Sequence, residues 1–174
     1  MSDIDGPLAG KNLSAASLVE SGRLHTAYTR RLEPAELADL AGVETTAHLF
    51  QRFIEDKACE VRATVVGDRV FAAAIHAGSP AARIDFRADY SSLDYTTIEP
   101  PAPVRDGMIA FMRAFELSFG AFDFAVTPAG EWIMFECNPF GQFGWLEDAL
   151  GLPITSALAD LLESGARPCT TPPT

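Results

Sequence analysis

The chain has 174 residues, with 13 Lys plus Arg against 24 Asp plus Glu and a formal net charge of −11. That balance argues against a nucleic-acid backbone or an anionic membrane as partner, because both need basic patches. With 48% apolar and 10% aromatic residues, a packed core is expected, in one ordinary domain rather than two large ones. The three cysteines (Cys59, Cys137, Cys169) show no CxxC spacing and leave one over, which argues against both zinc and a disulfide framework. The N-terminus has neither a basic n-region nor an apolar h-region, and no apolar run reaches the roughly 18 residues of a membrane span. A cytoplasmic protein is expected.

Residues 1–21 are small and polar without a sustained period and are read as a poorly ordered segment without a strand of its own. Gly22 to Leu32 alternates like a half-exposed strand, and Pro34 to Ala41 has a short helical pattern stopped by Gly42. Thr46 to Ile54 reads as a strand. Glu60 to Val66 and Arg69 to Ile75 form a hairpin about Gly67-Asp68, a favoured two-residue turn pair. His76 to Ile98 is irregular, with a short strand from Tyr95. Prolines 100, 101 and 103 precede a helix from Val104 to Phe119, whose apolar positions recur at three- and four-residue steps. Leu146 to Leu150 and Ile154 to Leu162 read as helices parted by Gly151 and Pro153. Residues 166–174 read as a disordered tail, so that 22–165 form the domain. Hairpin, helix, hairpin predicts an α+β fold with an antiparallel sheet and packed helices. Neither GxGxxG nor GxxxxGK[ST] occurs, which sets aside Rossmann and P-loop sites.

The segment from Phe122 to Pro139 predicts a second hairpin. If its loop is Pro128 to Glu131, Thr127 pairs with Trp132 and Asp123 falls opposite Glu136. Asn138 then joins Glu136 on that face, with Phe122, Phe124, Val126, Ile133, Phe135 and Cys137 on the other. Two carboxylates and an amide oxygen on one wall suit Mg2+, a hard octahedral cation. The same alternation equally suits the solvated side of an amphipathic hairpin.

Together with Asp123, the run Glu136-Cys-Asn-Pro-Phe-Gly-Gln-Phe-Gly-Trp145 resembles the ATP-grasp ligases. It is most similar to the graspetide or microviridin-type branch that matures ribosomal peptides and carries an E-x-N-P-x-G-Q-x-x-W ending. Further segments that match are Phe50–Ile54, Glu60–Ala73, Ala82–Arg87 and Gly151–Ile154, so the resemblance runs from about Gly10 to Leu162. It implies an ATP- and Mg2+-dependent ligase. Such a ligase phosphorylates an Asp or Glu side chain of a precursor peptide and lets a hydroxyl or amine displace the phosphate, giving an ω-ester or ω-amide.

By resemblance, Asp123, Glu136 and Asn138 match the metal ligands, and Arg62 the arginine near the transferring phosphoryl group. The alternative for Arg62 is an exposed strand residue paired with Glu60 or Asp68. Lys11 matches the phosphate lysine of the first strand, Gln51, Phe53 and Ile54 the adenine hinge, and Glu55 a ribose contact. Arg83 and Arg87 match contacts to phosphate or the peptide carboxylate. Phe143 and Trp145 are read as packing residues, and the histidines receive no role. By the same resemblance, the family's domain before Lys11 is missing and its first strand is reduced to a remnant at Leu8–Leu13, which implies a chain truncated at its front. Self-association or a companion chain is then expected at the exposed sheet edge. Two other readings stand beside the peptide ligase: a non-catalytic peptide-binding module or remnant, and a carboxylate-amine ligase of another ATP-grasp branch.

Overall fold

The computed structural model describes residues 6–12, 17–38, 41, 43 and 47–165. The chain forms two compact units, one of Met1–Glu55 with Ala77–Leu93 and one of Asp56–His76 with Asp94–Thr174. The segment 77–93 returns to the first unit, a non-local event that no local pattern signals.

In the first unit, β1 (Leu8–Asn12) is the centre of an antiparallel sheet, with β4 (Arg30–Arg31) on one side and β5 (His48–Arg52) on the other. β1 corrects the strandless reading of the N-terminal residues and falls on the remnant strand Leu8–Leu13 that the resemblance implies, residue 13 lying outside the described residues; Leu8 and Ala9 on it are buried. β2 (Ser17–Glu20) and β3 (Arg23–Thr26) form a separate hairpin. Ser21 and Gly22 both have positive φ, 51° and 75°, the backbone of a two-residue turn that matches the twist of its strands. The strand expected over 22–32 is therefore split between β3 and β4. The helix expected over 34–41 is α1 (Pro34–Ala38). α2 (Pro80–Ile84) starts at Ser79, whose Oγ accepts from Ala82 N, with Pro80 at the first turn. Two single 3-10 turns follow at Phe86–Ala88 and Tyr90–Ser92. The tail expected over 166–174 lies outside the described residues.

The second unit carries β6 (Cys59–Val66), β7 (Arg69–Ala77), β8 (Leu93–Thr97), β9 (Phe119–Val126) and β10 (Trp132–Asn138) in the order β10-β9-β6-β7-β8. β6 pairs antiparallel with both β7 and β9. Helix α3 (Ala102–Ala114) packs Met108 and Met112 against Val61, Ala63, Val65, Phe122 and Phe124. Residues between these on β6 point the other way, where Val66 meets Leu146 of α4 (Gly144–Leu150) and Ile154 and Ala157 of α5 (Ile154–Ser164). β6 is thus covered on both faces, and its run of small and β-branched residues fits that position.

α3 ends at Ala114, five residues before the expected Phe119. The stop is a hydrogen-bonded cap in which Leu117 N donates to Met112 O (2.9 Å) and Glu116 N to Arg113 O (3.1 Å). Glu116, at φ 52°, occupies the left-handed position where glycine is usual, so the sequence carries no visible stop there. Among the described residues, no helix is long and apolar enough to cross a membrane.

Candidate functional site

Three strands bring one charged row together. Arg62 on β6 faces Asp123 on β9, and Asp123 faces Glu136 on β10. Asn138 lies two residues further along β10, opposite Ala121. The Asp123–Glu136 pairing expected from the sequence is present, but its register is reached differently. Trp132 pairs with Val126 rather than Thr127, and the ladder shifts between Met134 and Glu136. The turn is one residue longer than expected, with Thr127 N donating to Glu131 O and Gly130 N to Thr127 O. A bulge at Phe135 absorbs the difference. Consequently Trp132 packs on the α3-side core in place of Ile133, which pairs with Ala125 and shares the face of Asp123.

Arg62 and Asp123 are both mostly buried. Arg62 Nε donates to Asp123 Oδ1 (2.7 Å) and Nη2 to Oδ2 (3.1 Å), while Nη1 donates to the backbone oxygen of Gln142 (3.1 Å). The pairing with Glu60 or Asp68 is thereby replaced by a bidentate fork on the neighbouring strand. Glu60 instead holds Lys57, itself mostly buried and 6.0 Å from the Phe135 ring centroid. Asn138 Oδ1 accepts from Phe140 N (2.9 Å), and Gly141 N donates to Asn138 O (3.1 Å). The turn after Pro139 is so closed on itself, leaving Phe140 exposed. Among the described residues, no group of three or more His, Cys, Asp or Glu side chains could hold a metal. The candidate wall is two carboxylates plus an amide. All three donors are hard oxygens of the kind Mg2+ takes, and a carboxylate that accepts two hydrogen bonds retains further lone pairs.

Cys137 lies between Glu136 and Asn138 and faces the core. Burial first, then the charges of Asp123 and Glu136, push its thiol up to about 11. Phe143 and Trp145 pack against Phe119 and Tyr95, with ring centroids 5.8 and 5.1 Å apart.

The remaining candidates lie in the first unit. Lys11 on β1 pairs in register with Leu49, and Gln51 with Ala9. The Phe53 N–H is taken by Pro7 O (2.7 Å). Ile54 is half-buried. Glu55 accepts from Arg31 Nη2 (2.8 Å). Arg83 is exposed on α2. Arg87 is held by the buried Asp85, Nε to Oδ1 at 2.8 Å and Nη2 to Oδ2 at 2.5 Å, and Asp85 also accepts from Thr29 N (2.9 Å). Burial pushes the Asp85 carboxyl up, but the hydrogen bonds from Arg87 and Thr29 outweigh it and hold it below the ordinary range. Sequence reading missed Asp85, Lys57 and the Gln142 carbonyl. Only Gly141, inside the E-x-N-P-x-G-Q motif, gave a signal that the backbone there approaches something closely.

No protein-family model and no curated protein matches the chain. Solved structures do. A Chryseobacterium gregarium RiPP-associated ATP-grasp ligase, in complex with ADP and a leader and core peptide, is 27% identical over 93% of this chain and 50% of its own, with a TM-score of 0.82. Macrocyclase MdnC of Microcystis aeruginosa MRC, bound with precursor peptide MdnA, is 28% identical over 93% and 48%, with a TM-score of 0.78. D-alanine–D-alanine ligase of Bacillus anthracis, at 18% identity over 91% and 53% and a TM-score of 0.57, shares the fold. The chain spans about half the length of these structures. Its fold is that of the ATP-grasp ligases, and its neighbours include those of the peptide-maturing branch, in agreement with the resemblance read from the sequence.

Proposed function

We propose that this ATP-grasp chain works as an ATP-dependent ligase on a ribosomal precursor peptide, activating Asp or Glu side-chain carboxylates as acyl phosphates. The γ-phosphoryl group of ATP passes to a carboxylate oxygen and ADP leaves. A Ser or Thr hydroxyl or a Lys amine then attacks the acyl carbon. Inorganic phosphate departs with that oxygen, and the nucleophile's proton goes to solvent, closing an ω-ester or ω-amide. Carrying the reading is the row Arg62–Asp123–Glu136 with Asn138 beside it, on the fold shared with the peptide-bound ligases.

In this reading, Asp123, Glu136 and Asn138 hold Mg2+, which when bound neutralises phosphate charge. Arg62 has five N–H donors, three of them engaged with Asp123 and Gln142. The other two are available to an anionic phosphoryl or acyl phosphate in an orientation fixed in advance. Such preorganised donors stabilise developing charge without reorganising at the moment of reaction. Lys11 is assigned to phosphate, Gln51, Phe53 and Ile54 to adenine, and Glu55 to ribose. Arg83 and Arg87 are assigned to phosphate or the peptide carboxylate, the Arg87 guanidinium being oriented by Asp85.

The test is calorimetric titration of Mg-ATP into the chain and into a Glu136→Ala/Asn138→Ala variant. Sub-millimolar binding by the first and none by the second is the expected result. Absence of binding by the unaltered chain would turn the reading toward a peptide-binding module that keeps the fold.

A further inference from the structure

The segment Pro139 to Gln142 turns back over β9 instead of running into solvent, and the approach is closer than any side chain permits. A Cβ built on Gly141 would stand 2.3 Å from Ala121 Cβ, 3.2 Å from Asn138 O and 3.4 Å from Arg62 Nη1. Unlike several other glycines of the chain, Gly141 does not have a positive φ, so its lack of a side chain answers to space rather than to backbone conformation. The contact has a chemical correlate one residue on, where the Gln142 oxygen accepts from Arg62 Nη1 at 3.1 Å.

We infer that Gly141 is a positioning residue for Arg62: by seating on Ala121 it delivers the Gln142 carbonyl to the guanidinium. Asp123 fixes one edge of that group and Gln142 O pins the nitrogen that Asp123 does not touch. Rotation of the guanidinium about its Nε–Cζ bond must then break the Gln142 contact as well as the Asp123 fork. That the pinned arginine serves phosphoryl transfer rests on the function proposed above; the pinning itself does not.

Nuclear magnetic resonance of the arginine side chains reads the pinning without nucleotide. Arg62→Lys assigns the signals. Exchange between the Arg62 Nη positions is expected to be slow in the unaltered chain, faster in Gly141→Ala, where only the Asp123 fork remains, and slow again in Gly141→Ala/Ala121→Gly, because the second change removes the carbon that the first one strikes. Exchange in Gly141→Ala no faster than in the unaltered chain overturns the inference, as does a folded double variant that keeps the faster exchange. If Gly141→Ala fails to fold, the double variant decides: recovery of fold and slow exchange together supports the inference. A double variant that also fails to fold overturns it, since Ala121 is then not what Gly141 answers to. Mg-ATP titration of the same proteins separates the two claims. If the proposed function holds, Gly141→Ala weakens binding about tenfold, the loss of one charge-assisted hydrogen bond, and the double variant restores it. No binding by any of them removes the proposed function while the resonances still decide the positioning.

Discussion

Arg62 and Asp123, adjacent across β6 and β9, make a two-pronged ion pair at 2.7 and 3.1 Å on the sheet face that also carries Glu136. Both side chains are mostly shielded from water, at 12% and 15% exposure, so neither charge is easily left alone. Replacing Asp123 by Ala strands the guanidinium with only the Gln142 carbonyl. A loss of about 3 kcal/mol is expected in urea unfolding. Arg62→Met/Asp123→Leu, which removes both charges, is expected to recover most of that loss. A double variant no more stable than Asp123→Ala would show that the pair is not desolvated as its burial implies.

Glu116 holds a left-handed conformation that costs an L-residue roughly 1–2 kcal/mol, in a cap closed by hydrogen bonds from Glu116 N and Leu117 N. Glu116→Gly is expected to raise unfolding stability by about 1 kcal/mol, after the entropy that glycine loses on folding. Thermal unfolding measures it, and an unchanged midpoint counts against strain at this position.

The buried carboxyl of Asp85 titrates below its ordinary range, so its stabilising contribution is complete above the unfolded value of about 3.9 and fades as pH falls through the lower folded value. The stability gap between the unaltered chain and Asp85→Asn is expected to be constant from neutral pH to about pH 5 and to narrow below about pH 4. Urea midpoints across that range test this. A gap independent of pH would mean that the hydrogen bonds from Thr29 and Arg87 do not depend on the charge.

The Cys137 thiol, raised to about 11 by burial and by Asp123 and Glu136, is almost wholly protonated at pH 8. Alkylation at that pH is expected to be slower than for an exposed cysteine by about a hundredfold or more, because the thiolate is the nucleophile. The linkage sign is opposite to that of Asp85. Unfolding frees a thiol that ionises more readily, so this residue's contribution falls as pH rises from about 8.5 toward 11. Mass spectrometry of a timed iodoacetamide reaction supplies the rate.

Much of this architecture was readable because it is local. The Gly67-Asp68 turn announced β6 and β7, and Gly151, a left-handed cap at φ 66°, announced the break between α4 and α5. What stayed hidden was set by partners far along the chain. From its residues alone β1 shows no strand period and only the resemblance marks it, yet β4 and β5 pair with it on either side and Leu8 and Ala9 are buried. Asp123 and Glu136 were found opposite each other because each hairpin strand alternates. That Arg62 would complete the row depends on β6 pairing with β9 across 61 residues, which no period along either strand records. The Glu116 cap was missed for the reverse reason: the backbone there is glycine-like and the residue is not.

The bulge at Phe135 makes β10 one residue longer than the ladder it serves. A deletion inside a strand ordinarily turns every later side chain to the wrong face. Here Met134 already stands opposite Phe124 and Glu136 opposite Asp123, neighbours on β9, so excising Phe135 would join two positions already in step. Glu136 and Asn138 would keep their faces, and Trp132 its place against Phe124. The strand can therefore lose an aromatic residue from its middle with its frame intact, and length variation at this point among related chains would leave the acidic row unchanged.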